Sequence, residues 1–334
     1  MQSRVSSSKT VFIAVAITLV ASATLSSLGA ARYTQVRSEG VVSGVYFNPL
    51  RVALLSWYPA NRVTRFAVGA SPQCLAFDGA NIWVANSGSD TVTELQASTG
   101  KLMGTFGVGS NPYGVAFDGS KIWVSNANDN TVTVLQASNG AILGTFPAGG
   151  IPTGMAFDGA NIWVANYQGN TVTKLQASNG NILGSFAVGS NPDAVAVDGE
   201  NIWVANAGSN NLTKLTPGGN VLGTFAVGLF PSGLAFDGAN IWSVNINSNN
   251  VTKLDAMSGA VLGTFAVGGA PPGVAFDGAN IWVANASSNN VMKLDPSTGK
   301  ILATFPEKSG PNFVAFDGAN VWVTNYTSGT VSKL

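Results

Sequence analysis

Histidine is absent from all 334 residues of the chain, and cysteine occurs once, as Cys74. Without histidine the chain has no Ser-His-Asp or Cys-His catalytic group, no imidazole base and no histidine metal ligand. A single cysteine forms no disulfide within the chain, so packing and strand pairing must supply the stability. Charged residues make up only 10%, and Lys+Arg and Asp+Glu are equal at 16 each. Because no clustered basic face is expected, nucleic acid is not an expected partner.

The N-terminus has the pattern of a targeting segment. Arg4 and Lys9 precede an apolar run from Val11 to about Ala23, and small residues follow as far as Ala31. This order is typical of a secretory signal peptide. We expect residues 1–31 to be removed on export, which leaves no stable membrane span and a secreted, periplasmic or surface-held protein. The alternative is an uncleaved anchor, although the apolar run is short compared with the roughly 20 residues that a span needs.

The rest of the chain is a repeat rich in glycine, with 40 glycines in all. The segment 77–86, Phe-Asp-Gly-Ala-Asn-Ile-Trp-Val-Ala-Asn, is the first of seven copies that differ little in sequence. Its tryptophans are Trp83, Trp123, Trp163, Trp203, Trp242, Trp282 and Trp322. Successive tryptophans are 40, 40, 40, 39, 40 and 40 residues apart. A period of about 40 residues is typical of β-propeller blades.

Each repeat contains four short strand patterns separated by Gly, Asn and Asp turns. In the second copy the predicted strands are 114–117, 122–125, 131–135 and 142–146. Strands this short cannot bury an apolar face alone. The sequence therefore predicts an all-β fold, a seven-bladed β-propeller of four-stranded blades. The tryptophans are expected to fill the wedges between blades rather than to bind sugars or bases.

The chain reaches Leu334 after only the third strand of the last copy. Residues 63–69 resemble the fourth strand of another copy, 261–268. We therefore predict that an N-terminal outer strand completes the C-terminal blade, so that the propeller spans residues 63–334. Residues 32–62 form an N-terminal extension, in which 51–57 is a possible extra strand; a truncated eighth repeat is the alternative.

The repeat resembles a known group. Ile162-Trp163-Val164-Ala165-Asn166, the strand 170–175 and the loop 189–192 are similar to the YVTN-type β-propeller repeat of bacterial and archaeal secreted and surface-layer proteins, and Val323-Thr324-Asn325 is nearest to the name-giving motif. The resemblance covers about residues 63–334. It implies a propeller outside the cytoplasm and implies no particular activity.

Two groups of propeller enzymes have distant similarity to this repeat. Streptogramin (virginiamycin B) lyases use histidine and a metal, and this chain has no histidine to carry that mechanism. Gluconolactonase-type propellers hold a divalent cation with Glu, Asp and Asn at the channel mouth, whereas the corresponding ring here has one carboxylate. We therefore expect no metal, no cofactor and no catalytic residue.

The variable positions of the seven copies indicate where a site could lie. The residue after the loop proline should ring one mouth of the central channel; in chain order it is Gln73, Tyr113, Thr153, Asp193, Ser232, Pro272 and Asn312. The same face should carry Ile151, Leu229 and Phe230, which precede that proline, and Tyr167, Ile246 and Tyr326, which follow the second strand. We predict a binding face made of Gln73, Tyr113, Thr153, Asp193, Ser232, Asn312, Tyr167, Phe230 and Tyr326. The alternative is neutral drift of loop residues.

Residues that recur in every copy are assigned structural roles. The aspartate before each Gly, such as Asp158, should bond nearby backbone N–H groups of its turn. The third-strand lysines are expected near the outer part of the blades, where they favour solubility; they are Lys174, Lys214, Lys253, Lys293 and Lys333. Cys74 stands where five copies have Gly or Ala, and is expected to be a small buried apolar residue.

These observations favour a non-enzymatic, extracytoplasmic propeller that serves as a binding or scaffold module. Its partner would be a protein, glycan or small molecule at one face. One alternative is a propeller enzyme of the streptogramin lyase or lactonase type, which would need clustered carboxylates or a metal. Another is a structural or surface-layer protein that self-assembles.

Overall fold

The computed structural model describes residues 64–334. The predicted signal peptide, the extension 32–62 and the possible strand 51–57 lie outside the described residues. Within 64–334, no helix has the length and apolar content needed to cross a membrane.

The described residues form seven antiparallel sheets of four strands each, which confirms the predicted all-β propeller. Blade 1 consists of β2 (Pro72–Phe77), β3 (Asn81–Asn86), β4 (Thr91–Gln96) and β5 (Leu102–Gly107). Blade 2 consists of β6 (Pro112–Phe117), β7 (Lys121–Asn126), β8 (Thr131–Gln136) and β9 (Ile142–Pro147). Blade 3 consists of β10 (Pro152–Phe157), β11 (Asn161–Asn166), β12 (Thr171–Gln176) and β13 (Ile182–Ala187).

Blade 4 consists of β14 (Pro192–Val197), β15 (Ile202–Asn206), β16 (Asn211–Leu215) and β17 (Val221–Ala226). Blade 5 consists of β18 (Pro231–Phe236), β19 (Asn240–Asn245), β20 (Asn250–Asp255) and β21 (Val261–Ala266). Blade 6 consists of β22 (Gly273–Phe276), β23 (Ile281–Asn285), β24 (Asn290–Leu294) and β25 (Ile301–Pro306). Blade 7 consists of β26 (Pro311–Phe316), β27 (Val321–Asn325), β28 (Thr330–Lys333) and β1 (Thr64–Ala67), and one 3₁₀ turn, Ile246–Ser248, lies between β19 and β20.

The ring closes at blade 7 as the sequence predicted. Strand β1 is the outer strand of that blade and pairs antiparallel with β28, with Thr64 opposite Lys333 and Ala67 opposite Thr330. The innermost strands contact one another around the channel, and β26 contacts β2 at the seam. The described part of the chain is therefore a closed ring rather than an open solenoid.

Strand boundaries differ slightly from the predicted ones. In the second copy the first strand begins at Pro112 rather than at Gly114, and a β-bulge follows the proline. In blade 6 the innermost strand begins only at Gly273, after Pro271 and Pro272. A second proline has no backbone N–H to donate, and the strand begins two residues later there than in the other blades.

The core is divided among the interfaces between blades. Trp163 in blade 3 is fully buried and packs with Val195, Ile202 and Leu215 of blade 4. Its own blade supplies Phe186, whose ring centroid lies 5.5 Å from that of Trp163. Each blade thus presents a large ring to the next blade, which confirms that the tryptophans are wedge residues.

The repeated aspartate has a second role besides its turn. One carboxylate oxygen of Asp158 accepts the backbone N–H groups of Ala160 and Asn161 at 2.9 and 2.7 Å. The other accepts the indole N–H of Trp163 at 2.7 Å. Burial acts to raise the pKa of Asp158, but these hydrogen bonds outweigh burial and hold the pKa below its usual value. The aspartate therefore fixes the rotamer of the wedge tryptophan as well as the turn.

The third-strand lysines, which were expected to favour solubility at the outer part of the blades, instead contact other parts of the protein. Lys174 Nζ lies 5.2 Å from the centroid of Trp163 and donates to the carbonyl of Pro217 in the next blade at 2.8 Å. Lys214 is only 6% exposed and donates to the carbonyl of Ala256 at 2.7 Å. Lys174, Lys214, Lys253 and Lys333 join blades, because each cation lies on one blade's indole and bonds to a carbonyl of the next blade's turn, whereas Lys293 lies on Trp282 without such a bond within residues 64–334.

Blades 1 and 2 depart from this arrangement. In blade 2 the third-strand position is Val134, and Lys121 from the preceding strand takes over, with Nζ 6.0 Å from the Trp123 centroid and 2.6 Å from the carbonyl of Ala177. In blade 1 the position is Glu94, which is 8% exposed. Burial and then the charge of Asp78 raise the pKa of Glu94. Blade 1 is the one described blade that has no cation on its tryptophan.

An ion pair holds the closing strand. Arg65 in β1 donates to the Glu307 carboxylate at 2.7 Å, and Glu307, just after β25, is 2% exposed. The equivalent of Glu307 is an apolar Val or Ala in the other copies, and the equivalent of Arg65 is Ser or Thr. The pair therefore occurs only where β1 joins the ring.

Candidate functional site

One mouth of the central channel opens into a cavity of about 450 Å³. Its wall is formed by the first residues of the innermost strands, the loops that precede them and the residues after the second strands. All nine residues predicted for a binding face lie in this wall: Gln73, Tyr113, Thr153, Tyr167, Asp193, Phe230, Ser232, Asn312 and Tyr326.

The structure adds residues to this wall and removes one. Ile151, Ile246 and Pro272, which the sequence placed on the same face, also line the cavity, whereas Leu229 is not part of the wall and is 53% exposed. Sequence reasoning missed Ser87, Asn111 and Ala127. Ser87 and Ala127 follow the second strand at the position of Tyr167, so the repeat alignment itself contained the signal for them.

The loop before each innermost strand bends through a left-handed residue. Equivalent positions have positive φ in the described blades, and in chain order they are Ser71, Asn111, Ile151, Asn191, Phe230, Ala270 and Gly310. Asn and Gly tolerate this conformation, but a β-branched or bulky side chain in it is an outlier. Ile151 at φ +51° and Phe230 at φ +58° are such outliers, and both line the cavity.

Hydrogen bonds hold these two strained residues in place. The side-chain oxygen of Asn130 accepts the N–H of Ile151 at 2.8 Å, and that of Asn210 accepts the N–H of Phe230 at 2.8 Å. Strain of this kind costs on the order of 1–3 kcal/mol per residue and persists when the surroundings enforce it. The mouth therefore keeps two apolar side chains at positions where asparagine would be relaxed.

Several polar side chains of the mouth are occupied by neighbouring blades. Asn312 donates to the amide oxygen of Gln73 at 2.7 Å across the seam. The hydroxyl of Thr153 lies 3.2 Å from the carbonyl of Pro192, and that of Ser232 lies 3.2 Å from the carbonyl of Pro272. These predicted site residues therefore tie innermost strands together, and each spends a side-chain hydrogen bond on a neighbouring blade.

The pKa of Asp193 in the mouth is strongly perturbed. Asp193 is 6% exposed and lies close to the phenol of Tyr113, two blades away around the ring. Burial raises the pKa of Asp193 to about 7, and the nearby phenol of Tyr113 limits the rise. Burial and then the charge of Asp193 raise the pKa of Tyr113. The sequence singled out Asp193 as the lone charge of its ring but gave no sign of its contact with Tyr113.

Below the mouth lies a smaller cavity of about 180 Å³ inside the channel, and Asp193 lines both cavities. Cys74 and Phe313 line the inner cavity at a position where other blades have Gly or Ala, and Tyr113 packs edge-on against Phe313 with centroids 5.8 Å apart. Burial, and to a smaller extent the charge of Asp193, raise the pKa of the Cys74 thiol. Tyr113 and Asp193 thus stand at the boundary between the two cavities.

Within residues 64–334, no three His, Cys, Asp or Glu side chains come together as a metal site would require. Among the residues that line the mouth cavity, Asp193 is the single carboxylate.

Comparison with protein-family models and with curated proteins gives no match. Solved structures do match. Virginiamycin B lyase from Staphylococcus aureus has a TM-score of 0.71 at 17% identity, over 81% of this chain and 98% of that chain. A streptogramin B lyase gives 0.71 at 18% identity, over 81% and 96% of the two chains. Hydrazine synthase from Kuenenia stuttgartiensis gives 0.70 at 20% identity, over 80% and 96%.

These proteins share the propeller fold of this chain. At such identities the likeness concerns the fold, and the YVTN repeat class has no matching family model. A further match is a catalytically inactive histidine-to-alanine variant of the virginiamycin B lyase with quinupristin, with a TM-score of 0.70. Replacing one histidine by alanine therefore inactivates that lyase, and the present chain contains no histidine.

Proposed function

We propose that this protein is an exported, non-catalytic propeller that binds a small molecule in the channel-mouth cavity. The observation that carries the proposal is the pair of strained residues, Ile151 and Phe230, whose apolar side chains line that cavity. Neutral drift at these positions would favour Asn or Gly, which relax the loop. A conformational cost retained at two places around one concave site is typical of a binding function.

Relaxing the two loops tests the proposal. In the double variant Ile151→Asn with Phe230→Asn, we expect greater stability, by about 1 kcal/mol or more for each change. Fragments that saturation-transfer NMR detects on the wild-type protein should lose binding to this variant. Ala270→Asn is the matched control, because Ala270 has the same left-handed conformation at φ +48° and is not part of the cavity wall.

The control should gain stability and keep every fragment. If the double variant and the control bind the same fragments with the same affinity, the mouth is not the binding site. If the wild-type protein binds no fragment at all, a small-molecule role for the mouth is likewise rejected.

An enzyme remains the second candidate, and Asp193 is the observation that favours it. A carboxyl group with a pKa near 7, half of it ionised at neutral pH, is suited to general base catalysis. Incubation with quinupristin and with simple lactones tests this candidate. Turnover by the wild-type protein that is lost in Asp193→Asn would replace binding by catalysis as the function.

A further inference from the structure

The charge inside the mouth is unbalanced. Of the residues that line the larger cavity, Asp193 is the one with a carboxylate, and none is Lys or Arg. The nearby phenol of Tyr113 is uncharged, and Asp193 takes part in no ion pair within the described part of the chain. A buried carboxylate without a cation is costly, and a cationic ligand would remove that cost.

The rest of the wall suits a cation that carries apolar groups. Tyr113, Tyr167, Phe230 and Tyr326 all line the cavity, and their ring faces attract a cation within about 6 Å. Tyr113 and Tyr167 both lie close enough to Asp193 that its charge raises their pKa values. Aromatic rings and a carboxylate therefore face a shared volume.

The apolar part of the wall narrows the kind of cation. A primary ammonium has three N–H donors that each need an acceptor. The oxygens of Asn312, Thr153 and Ser232 can accept such bonds, but Ile151, Ile246, Pro272 and Phe230 in the same wall offer no side-chain acceptor. A quaternary ammonium has no N–H donor, and its methyl groups can contact Ile151, Ile246 and Pro272. It leaves no polar group of its own unpaired.

We propose that the mouth binds a methylated quaternary ammonium group, with Asp193 as its counter-ion and the surrounding tyrosines and Phe230 as its aromatic wall. This inference rests on the proposed function, since it names the ligand class of the same cavity. It adds the requirement that the ligand's positive charge contributes affinity beyond what its shape supplies.

Isothermal titration calorimetry at pH 8 with three compounds tests the inference. Choline and tetramethylammonium carry the charge, and 3,3-dimethyl-1-butanol is the neutral isostere of choline, with carbon in place of nitrogen. We expect both cations to bind and choline to bind at least about tenfold more tightly than the isostere. Asp193→Asn should weaken the binding of choline by about tenfold or more and leave the affinity for the isostere unchanged. Glu200→Gln, an exposed carboxylate remote from the cavity wall, is the control and should change neither.

The outcomes separate this inference from the proposed function. The proposal of a quaternary ammonium ligand would be overturned if choline and its isostere bind with equal affinity. It would also be overturned if the Asp193→Asn variant binds choline as tightly as the wild-type protein, or if neither cation binds. The proposed function would still stand if neutral or anionic fragments bind and depend on Ile151 and Phe230. Both would fall if no compound depends on any residue of the mouth.

Discussion

Replacing Asp193 by asparagine is expected to stabilise the propeller, and to do so more at pH 8 than at pH 5. Burial lifts the pKa of this carboxyl group from 3.8 to about 7 in the folded protein. Since the folded pKa lies above the unfolded one, ionised Asp193 disfavours folding. This penalty is absent below about pH 4, grows as the pH rises and is complete above pH 7. Asparagine is never ionised, and its amide oxygen is still an acceptor beside the phenol of Tyr113.

The size of the effect follows from the pKa difference. A shift of about 3 units at 1.36 kcal/mol each corresponds to about 4 kcal/mol when the penalty is complete. A pH of 5 is only about one unit above the pKa of Asp193 in the unfolded chain, so the penalty there is about 1–2 kcal/mol. The advantage of Asp193→Asn should therefore grow by about 2–3 kcal/mol between pH 5 and pH 8.

Urea unfolding of both proteins at the two pH values measures this difference directly. Groups other than Asp193 titrate in both proteins, so their contribution cancels in the comparison. Glu200→Gln serves as the control and should track the wild-type protein at each pH. An advantage for Asp193→Asn that is the same at pH 5 and pH 8, or a loss of stability at pH 8, would refute the claim that a buried unpaired charge lies in the mouth.

Three further predictions follow from the same contacts. Choline affinity should rise as the pH increases from 5.5 to 8, because Asp193 ionises over that interval, and calorimetry on Asp193→Asn should show no such rise. Arg65→Ala leaves Glu307 buried without its cation and should cost about 3–5 kcal/mol in urea unfolding. The double change Arg65→Ala with Glu307→Val should recover most of that loss, and no recovery would argue against the pair. Glu94→Lys places a cation on Trp83 and should raise the melting temperature by a few degrees in scanning calorimetry, for a gain of about 1 kcal/mol; an unchanged or lower melting temperature would contradict the role of the lysines between blades.

The architecture was predictable because the repeat is nearly exact. The regular return of the tryptophans determined the number of blades, and the likeness of 63–69 to a fourth strand predicted the closure at β1. Strand starts were missed by one or two residues, since the bulge after each loop proline depends on the neighbouring strand. These are local patterns copied seven times, so one correct interpretation serves every blade.

The contacts that matter for the site depend on distance through space. No pattern in the sequence shows that Tyr113 reaches Asp193 across the channel, because that contact depends on channel width and on side-chain rotamers. The lysines were misassigned for the same reason, since their acceptor carbonyls belong to the next blade. One signal was available. Lys121 appears in the same copy in which Val134 replaces the usual lysine, and such an exchange indicates a shared position in space.

The pairing of β1 with β28 has a consequence for how the protein is made. Among the strands that the structure describes, β1, the outer strand of blade 7, is synthesised first and its partner β28 is synthesised after all the others. Until then, the seam lacks both the strand pairing and the contact of Phe66 with Trp322, whose centroids are 5.5 Å apart in the finished ring. An incomplete chain exposes a free strand edge that can pair with another copy. The pairing of β1 with β28 therefore covers a strand edge that stays open until the last blade is complete.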